Sequence, residues 1–497
     1  MFWDREAKIL KRMQGITRTT VTIKMQENPI IIIGGGVAGC GTGALLASNG
    51  KKVIILEKNS FWGGRAGTRT PDEWGWSDEK FPEYHADFGH HVLGAAGFFE
   101  KLVDETGARK KIDLHPLPMA LFYRDGKPHK APRNLIEGLL AYRYAGIIEK
   151  LKMMKVQKFC MNIPASEAIR KYGYVPLGDF IEHFNLGELS NEILVEGFAG
   201  GYQTTVDLQK NSAADFILCV KLFFKGLKKY KKSAMLYPQG GFGRVIEAMA
   251  EVVKDHSGEA HLNAKVEKIL TEKDGDDFRV SGVQVQGKDI KSDTVVSNVP
   301  VFQLQQLFDE EVVSRYKNFF ERANEGNKET TELFGVICGS RKPLIGKAVN
   351  TWIFIPRSQL KNFKEYFLIS ELDSSQGVAP EGRQIITVAT LMPNPPENPK
   401  EIGDKMCEDM KRIFGFDKNN CDWIKYVYFP VVDGIGRTVD WYADKRLGPE
   451  TPVKGFYICG DSTKEFSTGT DGCANSSFFV AEKILGKKLV DMDEVFG

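Results

Sequence analysis

Three glycines and one carboxylate carry the first chemistry visible in this chain. Gly34, Gly36 and Gly39 have the spacing GxGxxG, and Glu57 follows with seventeen residues between it and Gly39. Glycine suits phosphate because a backbone without Cβ lets an anion come close. Gly34 permits a tight turn, Gly36 lets a pyrophosphate reach the backbone, and Gly39 lets helix and strand pack closely. Val37 and Ala38 open the helix whose free N–H groups and positive dipole end face that anion. Glu57, with Lys58 beside it, is placed to accept hydrogen bonds from both hydroxyls of a ribose and to repel a 2′-phosphate. The ligand these residues imply has an ADP half that is not 2′-phosphorylated.

Such a site needs a strand, a turn, a helix and a second strand in register. Ile30 to Ile33 have the composition of a buried parallel strand. ALLASNG reads as the end of a helix closing at Gly50, and KKVIILEK as a second strand ending at Glu57. The chain of 497 residues is long enough for two or more domains. A net charge of +2 gives no global attraction to nucleic acid. The eight cysteines form no CxxC pair and no zinc-site spacing with histidine, so they read as reduced thiols in a cytosolic compartment, with no metal site. No run reaches the ~18 to 20 apolar residues that span a bilayer. Residues 1–26 read as an amphipathic N-terminal extension rather than a signal peptide.

After Glu57 come Gly63, Gly64, Arg65 and Thr68. This stretch resembles the second fingerprint, ExxxxxGGRxxT, of the flavin amine oxidase and phytoene desaturase superfamily. The resemblance implies FAD, with Gly64 and Arg65 against pyrophosphate or flavin. It continues through Asp87-Phe88-Gly89, through YPQGGFGRVIEAMAEVV from Tyr237, and through SDTVVSNVP from Ser292. It ends in GFYICGDSTKEFSTGTDGCANSSFFVAEKIL from Gly455. By resemblance, Asp87, Gly89 and His90 lie near the flavin, and Val266 lies against adenine. Gly460 and Asp461 meet the ribityl and pyrophosphate. A helix from about Thr470 points its N-terminus at the isoalloxazine. The implied fold is α/β: a Rossmann-like FAD-binding domain of glutathione-reductase type with an inserted α+β substrate domain. The FAD domain takes 27–75, 234–308 and 430–497; the substrate domain takes 76–233 and 309–429.

The catalytic residues stay open. His90 and His91 are acid–base types near neutrality, or else only line the cavity. Glu465 either touches substrate or is a solvated loop carboxylate. Arg244 pairs with a phosphate or caps a helix. The leading expectation is an FAD-dependent oxidoreductase acting on carbon–carbon bonds of an apolar, isoprenoid or polyene substrate by desaturation, saturation or isomerisation. A soluble flavin amine oxidase is the alternative, although the strand core Leu333 to Cys338 lacks the lysine many amine oxidases carry. A third reading is a non-enzymatic prenyl or lipid binder, since Rab escort proteins and GDP-dissociation inhibitors resemble this fold. No second GxGxxG follows a strand, so electrons are expected to leave to a quinone, oxygen or a redox protein.

AADFILCVKLFFKGLKKYKK from Ala213, and the lysine-rich stretch from Ala141 to Phe159, read as helices that dock on a membrane surface without crossing it. The expected location is cytoplasmic with peripheral membrane contact.

Overall fold

The computed structural model describes residues 28–130, 137, 145–197, 200, 207–231, 233–363, 365–392 and 394–497. The extension 1–26 and residues 141–144 lie outside these.

The first sheet has five parallel strands: β1 (Ile30–Ile33), β2 (Val53–Leu56), β3 (Glu259–His261), β4 (Val295–Ser297) and β5 (Phe456–Ile458). Their order is β3-β2-β1-β4-β5. Sequence order reverses between β1 and β4, the crevice where doubly wound sheets bind ligands. All four residues of β1 and of β2 are buried. Both faces are covered, which explains an unbroken apolar run in place of alternation.

Six helices matter to the site. They are α1 (Val37–Ser48), α2 (Phe98–Glu105), α3 (Ile147–Asn162), α4 (Ala213–Tyr230), α5 (Gly243–Asp255) and α6 (Gly469–Leu485). Helix α1 follows β1 directly and packs between α5 and α6. A Cβ on Gly39 would collide with the Gly34 carbonyl oxygen, so the first helical turn rests on the strand exit at a distance only glycine allows.

A second, mostly antiparallel sheet of seven strands runs Cys421–Phe429, Leu333–Ser340, Gln384–Leu391, Phe367–Asp373, Thr351–Ile355, Leu121–Arg124, Lys127–Lys130. Its last two strands form a hairpin that turns at Asp125 and Gly126. Helix Pro399–Phe414 covers this sheet through Met406 and Met410. The fold is therefore mixed α/β with a parallel sheet, as the sequence predicts.

Helix α4 corrects one expectation. Phe216, Ile217, Leu218, Val220 and Leu222 are buried in the main core, so this helix has no apolar face to offer a lipid surface. Three of its lysines serve other helices. Lys221 is 2% exposed, and its Nζ donates to the carbonyls of Ile163 (2.9 Å) and Met161 (3.2 Å) at the end of α3. Lys225 donates to the carbonyl of Val495 (2.7 Å) in the short helix Met492–Phe496. Both cations satisfy orphan carbonyls at negative dipole ends. Lys229 pairs with the buried Glu100 of α2 at 2.9 Å. Among the described residues, no helix is long and apolar enough to cross a membrane.

Candidate functional site

A cavity of about 620 Å³ opens at the carboxyl edge of the parallel sheet. Gly34 and Gly36 reach it from the end of β1, Val37 from α1, and Glu57 and Lys58 from the end of β2. Gly64, Arg65, His90, His91, Val266 and Asp461 complete the predicted residues on its wall.

Glu57 is buried and held rigidly: Gly35 N–H donates to Oε2 (2.6 Å) and Asn59 N–H to Oε1 (2.7 Å). Burial raises its pKa, and these backbone donors oppose the rise. Arg65 donates to Asp461 Oδ1 (2.9 Å) and to the Val432 carbonyl (3.0 Å). Burial alone would push the Asp461 carboxyl up. The Arg65 guanidinium and the Gly434 N–H outweigh it and hold the carboxyl below its usual range.

The two histidines differ in partners. His91 Nε2–H donates to the Arg65 carbonyl at 2.9 Å. His90 Nδ1 meets Ser370 Oγ at 3.1 Å, and its buried Nε2 has no protein partner. Burial lowers the His90 pKa to about 3 and the His91 pKa to about 4, so both rings are neutral near pH 7.

Five residues expected to bind the cofactor are not on the cavity wall. Ala38 is buried, and its carbonyl accepts from Ser477 Oγ of α6. Gly39 packs on Gly34. The Asp87 carboxylate ties three segments together, accepting from Thr68 Oγ1, Tyr237 OH (2.7 Å) and Phe242 N–H (3.0 Å). Gly89 lies in the bend that leads to the two histidines. Gly460 sits against the Asn298 side chain, and its N–H donates to Ser476 Oγ.

Glu465 is neither a substrate contact nor a solvated carboxylate. It is fully buried behind the cavity, 3.4 Å from Arg446 and 3.6 Å from Arg437. Arg437, also fully buried, reaches Asp433 (2.9 Å) and Asp215 (3.3 Å) as well. Arg244 pairs with Glu247 in its own helix, α5, and does not line the cavity.

Sequence reasoning missed several wall residues. Asn298, one residue beyond β4 at the switch point, donates its N–H to the Ile33 carbonyl at 2.8 Å. Its place after a buried strand was the available signal. Trp352 of the second sheet, and Leu222 and Phe223 of α4, gave no signal, because only packing brings them to the cavity.

The buried acids set a pH dependence of stability. Burial raises Glu465 to about 7, and Asp471 and Asp87 to about 6. In the unfolded chain these groups titrate near ~4. Between the two values the folded state binds more protons, so stability falls as pH rises through this window and levels off above it. Asp461, held low, titrates below the window. His90 and His91, held neutral in the fold, act in the opposite sense below about pH 6.5, the ordinary histidine value. The melting midpoint should therefore fall between about pH 6.5 and about pH 8. A midpoint that is flat or rises over that range would show Glu465 ionised in the fold.

The cavity fits a flavin dinucleotide. Helices α1 and α6 both begin at its wall, and neither N-cap residue, Gly36 or Thr468, supplies a side-chain cap. Their first N–H groups are available to a phosphate and to a ring carbonyl. A Cβ on Gly36 would sit 2.7 Å from Asn298 Nδ2 and fill the cradle.

The fold and site define an FAD-binding protein of mixed α/β type. Residues 37–485 match the family of flavin containing amine oxidoreductases, and the chain belongs to that family. Rab GDP dissociation inhibitor beta of Canis lupus familiaris is 25% identical over 382 residues, which are 73% of this chain and 79% of that protein. An oxidoreductase of Methanosarcina mazei superposes with a TM-score of 0.70 at 16% identity, over 92% of this chain and 100% of the other. A CLA-producing fatty acid isomerase of P. acnes gives 0.59 at 15% identity, over 94% and 99%.

Proposed function

We propose that the protein is an FAD-dependent oxidoreductase acting on carbon–carbon bonds of a neutral, apolar substrate of isoprenoid or polyene type, close to the phytoene desaturase branch. The observation that carries this reading is the state of the cavity's carboxylates. Asp461 faces Arg65, Asp433 faces Arg437, and Glu57 holds two backbone N–H groups. Asp471 accepts from Phe99 N–H (2.8 Å) and Ser467 Oγ (2.7 Å). Each is engaged by protein donors, which disfavours an ammonium substrate. Phe88, Trp352, Leu222, Phe223 and Met235 supply apolar wall.

Bound FAD supplies a hydride acceptor. Arg65 and the uncapped start of α1 bind its anionic part, and Glu57 orients its ribose. The aromatic wall excludes water. The neutral His90 imidazole, fixed through Ser370, lies on the wall beside the substrate region and shapes it. Reactions at carbon–carbon bonds need no more from the side chains than this.

The test is anaerobic mixing of the FAD-loaded protein with polyenes, with amines and with NADPH, following the flavin's visible absorbance. Bleaching by a polyene or its saturated precursor, or catalytic conversion of it, is expected, with none from amines. NADPH alone should not bleach the flavin rapidly, because no second dinucleotide motif follows a strand. Fast bleaching by amines would overturn the reading. The relation to Rab GDP dissociation inhibitors supports a second reading, a prenyl binder without redox chemistry. A protein that stays colourless after addition of FAD would establish that one.

A further inference from the structure

We propose that the N-terminal end of α3 docks the protein on an anionic lipid surface. Among the described residues, the large exposed apolar side chains include Ile147 (63%), Ile148 (67%) and Leu151 (48%), clustered in the first turns of this helix. Only Val156 and Cys160 of the helix are buried. The acid of this helix, Glu149, is turned inward: its carboxylate accepts from Ser190 Oγ, from the Gly187 N–H at 3.1 Å and from Lys152 Nζ at 3.5 Å.

The basic residues lie further along. Lys152 is half-buried, and Lys155 and Lys158 are exposed. Ile148, Leu151, Lys155 and Lys158 follow a three- and four-residue spacing, so they form one stripe. At ~1.5 Å per residue, Lys155 stands about 10 Å along the axis from Ile148. That offset matches a tip whose apolar end sinks ~5 to 10 Å below the headgroups while its lysines stay among the phosphates.

Charge selects lipid over a second copy of this chain. An isologous contact would set the same lysine-rich patch against itself, whereas anionic headgroups complement it. The helix that carries the patch also packs toward the site. Helix α3 packs on α4, and α4 carries Leu222 and Phe223 to the cavity wall. A lipid-soluble substrate would gain from this arrangement, but docking does not require one.

The test is flotation of the full chain with phosphatidylcholine vesicles, with and without phosphatidylglycerol. Binding should appear only with phosphatidylglycerol and should weaken as salt screens it. Each lysine near the surface contributes roughly fivefold, so Lys155→Glu with Lys158→Glu should lower partitioning by at least about twentyfold. Ile148→Ser with Leu151→Ser should lower it by roughly tenfold or more, through lost apolar burial. Both pairs are on the surface, so the melting midpoint and FAD content should match the parent. No flotation on phosphatidylglycerol vesicles at low salt would overturn the proposal. So would binding undiminished by either pair, or a dimer in solution that Ile148→Ser abolishes.

Discussion

Arg437→Leu should destabilise the fold by about 3 to 5 kcal/mol, the cost of leaving buried charge without its partner. Arg437 is fully buried and faces Asp433 at 2.9 Å, Asp215 at 3.3 Å and Glu465 at 3.6 Å. These carboxylates come from the loop before β5, from α4 and from the loop that leads into α6. One guanidinium therefore joins the parallel-sheet layer to the helix that walls the cavity. Leucine fills much of the volume but answers none of the charge, and only Arg446 then stays near Glu465. Typical domains have ~5 to 15 kcal/mol in total, so a large share is at stake. The check is thermal unfolding of the FAD-free protein, where the midpoint should drop by several degrees or the variant should fail to accumulate. Arg437→Lys keeps the charge but loses the planar fork, and should fall between leucine and the parent. A leucine variant that melts with the parent would mean that the carboxylates are protonated or otherwise satisfied.

Glu57→Gln should weaken FAD binding roughly ten- to hundredfold, from the loss of a charged acceptor at the ribose. The structure adds a second effect that the spacing of Gly39 and Glu57 does not reveal. Gly35 N–H and Asn59 N–H both point at this carboxylate, one at each oxygen. A glutamine has one acceptor oxygen and turns an NH2 toward the other donor, so one buried N–H loses its partner. That costs about 1 to 3 kcal/mol in the FAD-free protein as well. Two measurements separate the effects: the melting midpoint without FAD reports the backbone loss, and titration of FAD-free protein with FAD reports the ribose contact. Unchanged FAD affinity would show that Glu57 only shapes the turn.

Local chemistry wrote the nucleotide site into the sequence. The unit β1–α1–β2, the close packing at Gly39 and the position of Glu57 follow from spacing along fewer than thirty residues. A tight turn, a helix start and a strand end are each encoded by neighbouring residues. Asp461 was legible by resemblance, and its partner Arg65 meets it at 2.9 Å on the cavity wall. Arg244 carries the same charge in a similar glycine-rich setting, yet pairs only within its own helix.

Tertiary structure alone decided the rest. The lysines of α4 look like an interfacial helix in sequence, but two of them meet carbonyl groups dozens to hundreds of residues away, at Ile163 and Val495. Glu465 looks like a loop carboxylate beside the flavin motif, yet long-range contacts with Arg437 and Arg446 draw it into the interior. Asp87 lies in a motif near the flavin, but Thr68, Tyr237 and Phe242 claim its oxygens. A sequence specifies which charges and apolar stripes exist. Whether a lysine faces water, lipid or a helix end depends on which distant backbone groups remain unsatisfied once the core has closed, because burial makes every such group find a partner.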